Sequence, residues 1–219
     1  VGSFYYSFVI GCNKDAVEAC PKSWADLFDL AKFPGKRTFY KWSAPGVIEA
    51  ALLADGVPAD KLYPLDLDRA FKKLDTIKSE IVWWDSGAQS QQLRASAEAP
   101  FGAFGNGRLT ALDQTGVTVE TSWTNNITAA DALVVPKGTK NKEAAMKFIA
   151  NATSDKAQAE FATMTGYAPI NTDSPKLMDA ELRKTLPDQQ ADTQVNADMS
   201  YWAAHRDEIG TRWYAWQAK

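Results

Sequence analysis

Residues 81–108, IVWWDSGAQSQQLRASAEAPFGAFGNGR, contain the pattern that decides the fold class. The apolar run 81–84 is typical of a buried strand, and the polar residues 85–89 that follow are typical of the start of a helix. A second apolar run, 101–104, ends at Asn106 and Arg108. Strand and helix alternate in this way through the first half of the chain, which indicates an α/β domain.

The alternation extends in both directions from this stretch. Aromatic and β-branched runs predict strands at 5–10, 36–42, 117–123 and 131–136. Apolar residues at helical spacing predict helices near 23–28, 46–55 and 66–78, and a helix from Leu109. They also predict a closing amphipathic helix, whose apolar face contains Trp202, Ile209, Trp213 and Trp216. Residues 141–163 predict two helices that break near 154–155, with these side chains inward: Ala145, Phe148, Ile149 and Phe161.

Composition excludes several function classes. The chain has 219 residues, enough for one large domain or two small ones, and its net charge of −3 gives no basic field for nucleic acid. His205 is the single histidine, and P-loop, dinucleotide and nucleophile-elbow motifs are absent. No apolar run approaches the roughly 20 residues of a membrane-spanning helix. We therefore expect no enzyme, no cofactor and no metal; an α/β enzyme that uses His205 or Asp131 is the alternative.

The two cysteines, Cys12 and Cys20, frame the segment CNKDAVEAC. The spacing is too long for a redox or zinc CxxC motif, and the segment holds few other metal ligands. A local disulfide is the favoured interpretation, and it predicts an oxidising compartment. Two buried free thiols are the alternative.

Aromatic and polar residues recur where predicted strands end and helices begin, which is where open α/β sheets bind ligands. Ring faces attract ammonium groups, and a carboxylate fixes the charge. We therefore expect a binding cleft for a small cationic or zwitterionic solute, although each aromatic residue alone could belong to the core. The candidates are Trp42, Ser43, Trp84, Ser86, Gln89, Phe104, Asn106, Arg108 and Asp131.

Four stretches resemble one known family. They are FYYSFVIGCNKDAV with SWADLFD, VWWDSGAQSQQL with FGAFGNGRL, the segment 130–171 that runs from ADALVVPKGTKNKEA to GYAPIN, and YWAAHRDEIGTRWYAWQ at the end. Together they resemble, in order, the periplasmic solute-binding proteins of ABC transporters, in the spermidine/putrescine-binding group.

The resemblance implies a periplasmic-binding-protein type II-like fold with two α/β lobes and the ligand between them. It implies that residues 5–127 form the second lobe, that 128–172 belong to the first lobe, and that 173–219 form a helical segment packed back on the second lobe. The first-lobe sequence that precedes these residues in the family, about one small domain, would then be absent here.

The resemblance also implies a site and a function. Asp131 falls on the family's aspartate that pairs a ligand ammonium, and Tyr167 falls on the tyrosine of the GY-x-P turn. The family's second-lobe carboxylates fall near Ser43 and Gly46, which carry no charge. The expected protein is a periplasmic, monomeric substrate-binding component that delivers a polyamine-like amine to an ABC permease. The alternatives are a zwitterionic amino acid or ω-amino acid held by Arg108 and Asp131, and a sensor that signals to a membrane receptor.

Overall fold

The computed structural model describes residues 1–113 and 115–219, apart from the side chain of Arg94. The strands in these ranges are β1 Gly2–Asn13, β2 Arg37–Tyr40, β3 Ile81–Trp84, β4 Phe101–Gly105, β5 Val119–Ala132, β6 Ala168–Pro169 and β7 Val195–Asn196. The helices are α1 Trp24–Leu27, α2 Val47–Ala54, α3 Leu67–Asp75, α4 Gly87–Ala95, α5 Asn106–Asp113, α6 Lys142–Ala152, α7 Asp155–Thr165, α8 Ala180–Lys184 and α9 Met199–Gln217. Within these ranges no helix has the length and apolar character needed to cross a bilayer.

The strands form one mixed sheet in the order β3-β2-β4-β1-β5-β7, with β6 also paired to β1. The pairs β2/β3, β2/β4 and β5/β7 are parallel, whereas β1 runs antiparallel to β4, β5 and β6. Helices cover the sheet, so the expected α/β class is confirmed. The parallel strands β2 and β3 end at the same edge, where the loops into α2 and α4 begin.

The long strand β5 corrects the prediction of two separate strands at 117–123 and 131–136. It runs unbroken over Val119–Ala132, and the chain from 133 to 136 is not a strand. Polar residues at 124–126 resemble a turn in the sequence, but β1 pairs with β5 on both sides of them, at Ile127 and at Ser122. Asn125 absorbs the irregularity with a positive φ of 51°. A short polar residue tolerates this conformation at low cost.

The main core lies between the sheet and helices α1, α2, α3 and α9. The closing helix is confirmed: Trp213 meets Trp83 edge to face at 5.8 Å, and Trp216 stacks on Phe71 at 5.6 Å. The break between α6 and α7 is confirmed too, since Ser154 caps α7 by accepting from Ala157 N.

Two local predictions are wrong. Phe148 lies on α6 but is 64% exposed, because helical spacing alone does not decide which face of a helix is covered; Ile149 beside it is buried. The helix α5 begins at Asn106, three residues before the predicted start, because the Asn106 side chain is anchored to backbone groups.

The predicted disulfide is present between Cys12 and Cys20. It joins the end of β1 to the segment before α1, and both residues are buried against the main core. The short closed loop fixes the entry to α1.

Candidate ligand-binding site

A cavity of about 280 Å³ opens at the edge where β2, β3 and β4 end. It is mainly aromatic, with one cation and one anion in its wall. Its lining residues are Phe4, Tyr6, Phe8, Tyr40, Trp42, Ala44, Pro45, Trp84, Gly87, Gly105, Arg108, Asp131 and Tyr167. Such a volume suits a small organic solute.

One wall consists of rings from β2, from β3 and from the loop after β2. Tyr40 stacks on Trp42 at 5.2 Å, and Trp84 meets Trp42 edge to face at 5.1 Å. The Tyr40 hydroxyl donates to Pro45 O at 2.6 Å and accepts from Val47 N at 3.2 Å. These bonds hold the loop before α2 against the cavity, so the wall is preorganised.

A second part of the wall consists of rings from β1 and from the turn after α7. Phe4 stacks on Tyr167 with ring centroids 4.7 Å apart, and Phe161 packs behind both rings. Gly166 ends α7 with a φ of 72°, a left-handed conformation that glycine adopts without strain. This turn directs Tyr167 into the cavity.

Arg108 is the cation of the cavity and lies in the first turn of α5. Its guanidinium rests on Gly87, where a Cβ atom would overlap it. Among the described residues, no acidic side chain lies within ion-pair distance of Arg108, and its guanidinium makes no hydrogen bond. An unpaired guanidinium presents five donors to a ligand.

Asp131 is the anion of the cavity and pairs with Phe4 across the β1/β5 ladder. Partial removal from water raises the pKa of its carboxyl above the ordinary value. In the described ranges it has no hydrogen-bonding or ion-pair partner. A ligand ammonium would supply that partner and favour the ionised carboxylate.

The pKa of Tyr167 responds to both cavity charges, and the pKa of Tyr6 responds to that of Asp131. Burial raises the pKa of Tyr167, Arg108 counteracts this, and Asp131 adds to it. Burial, followed by the charge of Asp131, raises the pKa of Tyr6 to about 12. Both phenols therefore stay neutral, and Tyr167 lies within electrostatic reach of both cavity charges.

Trp84 contributes an unused donor. The residue is 6% exposed, and its Nε1 has no hydrogen-bond partner among the described residues. A buried polar group without a partner costs free energy, and such groups cluster where a ligand completes the bonding.

Five of the ten predicted ligand residues line the cavity: Trp42, Trp84, Arg108, Asp131 and Tyr167. The other five lie outside its lining. Ser86 and Gln89 start α4, where Ser86 Oγ accepts from Gln89 N and Gln89 Oε1 accepts from Asp85 N. Ser43 precedes the lining residues Ala44 and Pro45.

Phe104 and Asn106 are placed differently from the prediction. Phe104 packs with Val9 and Leu109 in a small cluster separate from the main core, because alternate residues of a strand face opposite sides of the sheet. Asn106 is 3% exposed, and its side chain is bonded to backbone groups of Ser7 and Gly166. Its polar atoms are therefore engaged within the protein.

The sequence analysis missed three lining residues on β1. Phe4, Tyr6 and Phe8 alternate at a period of two, so they share one face of the strand. This period of two is visible in the sequence and predicts that the three side chains lie on the same face. Gly87 carried no comparable signal, because its importance comes from Arg108, which is distant along the chain.

An open aromatic cavity with unpaired charges of both signs, at one edge of a mixed α/β sheet, defines a protein that binds small solutes. The chain belongs to the bacterial extracellular solute-binding protein family, whose profile matches residues 3–194. Its fold is the periplasmic-binding-protein type II-like fold shared by the similar solved structures.

Individual relatives bind different solutes. The chain is 34% identical over 226 residues to the gamma-aminobutyric acid-binding protein of Pseudomonas aeruginosa, a match that covers 100% of this chain and 64% of the relative. It is 28% identical over 189 residues to the spermidine/putrescine-binding periplasmic protein of Escherichia coli, covering 83% of this chain and 53% of the relative. The chain therefore spans between half and two thirds of the length of these relatives.

A solved structure, that of the Atu4243-GABA receptor, is 81% identical to this chain. The TM-score is 0.94, and the match covers 100% of this chain and 68% of the other. The solute-binding family that the sequence predicted is thus confirmed, whereas the polyamine group is matched only by the weaker relatives. The matched relatives are binding proteins, not enzymes.

Proposed function

We propose that the protein containing this chain is the substrate-binding component of an ABC importer and that it binds a zwitterionic ω-amino acid of the γ-aminobutyric acid (GABA) type. In this proposal Arg108 holds the solute carboxylate and Asp131 holds its ammonium. The protein works in the periplasm, as a monomer, and passes the solute to a membrane permease. This is the alternative that the sequence analysis kept beside a polyamine.

The observation that carries the proposal is the pair of unpaired charges in one cavity wall. Arg108 and Asp131 both line the cavity, and neither has a charged partner among the described residues. Both side chains are exposed at the open cavity, so each can stay hydrated in the free protein and is available to a charged group of a solute. A zwitterion satisfies both at once.

The groups around each charge fit the two ends of such a solute. Trp84 lines the same cavity as Arg108, and in this proposal its shielded, unpartnered indole N–H becomes a further donor to a carboxylate oxygen when the solute binds. Near Asp131, the Phe4 and Tyr167 rings offer faces to an ammonium group and to the methylenes beside it.

A polyamine fits these charges less well. Among the described residues, Asp131 is the single carboxylate in the lining, and Arg108 would repel a second or third ammonium. The resemblance to GABA-binding relatives supports the same choice.

The test is isothermal titration of the full-length protein with 4-aminobutanoate, spermidine and butylamine. We expect the amino acid to bind at least about tenfold more tightly than either amine, since it engages both charges. Arg108→Met and Asp131→Asn should each weaken its binding by about 50-fold or more, as truncation of a desolvated charged contact does.

The matched control is Arg69→Met on α3, whose guanidinium already pairs with Asp55 at 2.6 Å. It should leave the affinity unchanged. Tighter binding of spermidine than of the amino acid, or an unchanged affinity in Arg108→Met, would overturn the proposal.

A further inference from the structure

The side chain of Asn106 joins three segments of the fold. Its Oδ1 accepts a hydrogen bond from Ser7 N on β1 at 3.0 Å, and its Nδ2 donates to Gly166 O at 2.6 Å. Asn106 itself begins α5 and is 3% exposed. Buried bonds of this kind are not exchanged with water, so they fix the geometry of the groups they join.

Each of the three segments carries part of the cavity. Arg108 follows Asn106 by two residues on α5, Tyr167 follows Gly166, and Tyr6 precedes Ser7 on β1. Asp131 belongs to the same end of the cavity as Phe4, its partner on β1, and Phe4 stacks on Tyr167. The Asn106 amide therefore links the helix that carries Arg108 to the strand and the turn that carry Phe4, Tyr6 and Tyr167.

The start of α5 packs tightly on the end of α7 beside the Asn106 amide. A Cβ atom at Gly107 would lie 2.6 Å from Thr165 O and 2.6 Å from the Tyr167 ring. A Cβ atom at Gly166 would overlap the Thr110 hydroxyl. The start of α5 thus packs backbone to backbone on the end of α7, and any side chain here would push Arg108 and Tyr167 apart.

We propose that Asn106 is a positioning residue that sets the distance between the Arg108 end and the Asp131–Tyr167 end of the cavity, and so selects the chain length of the bound ω-amino acid. The proposal rests on the proposed function. The amide is suited to this role because it both donates and accepts, whereas a carboxylate cannot donate to Gly166 O. Loss of that bond frees α5 to move relative to the turn that carries Tyr167.

The experiment compares the affinities of the full-length protein for 3-aminopropanoate, 4-aminobutanoate and 5-aminopentanoate. One methylene changes binding by about 10-fold or more in a rigid site, so the wild type should show a sharp optimum. Asn106→Asp removes the donor and keeps the size. We expect it to flatten the optimum to within about threefold, or to move it to another length.

The matched control is Asn126→Asp. Asn126 is also fully buried, and its Nδ2 donates to Trp123 O at 3.0 Å and to Gln190 O at 3.3 Å. The bonds that the substitution removes join neither α5 nor the Tyr167 turn, and the Oδ1 that accepts from Ser7 Oγ at 2.9 Å is kept. The control should lower the unfolding temperature and keep the wild-type ratios of the three affinities.

Gly107→Ala provides an independent variant if Asn106→Asp does not fold. Its methyl group would press α5 away from Tyr167, and the optimum should move to the longer solute. An equal loss of affinity for all three solutes in these variants would overturn the positioning role and leave the proposed function intact. If the wild type bound none of the three, the proposed function would fail instead.

Discussion

Arg37 and Arg108 have the same side chain in opposite surroundings. Arg37 is fully buried, and its guanidinium donates to four backbone carbonyls, those of Leu27, Asp29, Phe33 and Gly35. Phe101 covers it at 5.0 Å. Arg108 lines the cavity, and its guanidinium has no hydrogen-bond or ion-pair partner among the described residues. The first guanidinium organises the loop before β2, and in the proposed function the second binds the solute carboxylate.

The two carboxylates Glu49 and Asp131 show the same contrast. Glu49 is fully buried and accepts from three donors, namely Gly46 N, Tyr63 Oη and Trp202 Nε1, each at 2.7 Å. It thereby ties the start of α2 to α9. Asp131 has no such donors in the described ranges. Charges whose bonds are complete within the fold stabilise it, whereas the proposed binding site uses charges whose bonds are incomplete.

The sharpest test of this contrast is truncation of the two carboxylates. Glu49→Ala leaves three donors unpaired and opens a cavity, so it should lower the free energy of unfolding by about 4 kcal/mol. Asp131→Ala should change that free energy by no more than about 0.5 kcal/mol and should abolish tight solute binding. Denaturant unfolding and titration calorimetry measure the two quantities. Equal destabilisation by both variants would contradict the contrast.

The arginines give the next largest effect. Arg37→Met removes the partner of four buried carbonyls and should cost about 3 kcal/mol of stability. That corresponds to a fall of about 6–12 °C in Tm for a protein of this size. Solute affinity should stay within about twofold of the wild type, since the side-chain contacts of Arg37 with described residues, four carbonyls and Phe101, involve no lining residue. Arg108→Met should show the reverse pattern, and a large fall in its Tm would argue for a structural role.

Two tryptophans extend the comparison to neutral donors. Trp84→Phe keeps a ring in the cavity wall and removes the unpaired N–H, so solute affinity should fall by about five- to tenfold. Trp213→Phe removes an N–H that already donates to Lys41 O at 2.9 Å. It should lower Tm and leave affinity unchanged. An unaltered affinity in Trp84→Phe would show that its donor does not contact the solute.

The smallest effect is a pH dependence at Asp131. Its pKa is raised in the free protein, and a bound ammonium should lower it. The affinity for the solute should therefore be at its maximum above that raised pKa, and it should fall as the pH decreases through it. Calorimetry in two buffers of different ionisation enthalpy should detect proton release on binding under mildly acidic conditions. Asp131→Asn should lose this release, and its persistence would assign the proton to another group.

Local features of this fold were predictable because they depend on neighbours along the chain. The run Ile81–Trp84 forms β3, Ser154 caps α7, and Cys12 bonds to Cys20 eight positions away. Arg108 and Asp131 were also predictable as ligand candidates, since their chemistry suits the two ends of a zwitterion. Periodicity and residue type are enough for such predictions.

The unpredicted features depend on residues far apart in the sequence. Asn106 was expected to bind solute, but its partners Ser7 and Gly166 lie 99 and 60 positions away. The sequence predicts two strands where the structure has the single strand β5. The continuity of β5 comes from its pairing with β1, which lies over a hundred residues earlier. No local pattern reports either contact.

The sequence by itself determined the alternation of strands and helices, the disulfide, and the kinds of charge available to a solute. Only the tertiary structure decided which of those charges are free. Arg37 and Arg108 each follow a glycine within two residues and are chemically identical. One meets four carbonyls in the folded chain, and the other meets a glycine surface and open space. Whether a charged side chain has a partner depends on the distance to segments that are far away in the sequence. Only folding sets that distance.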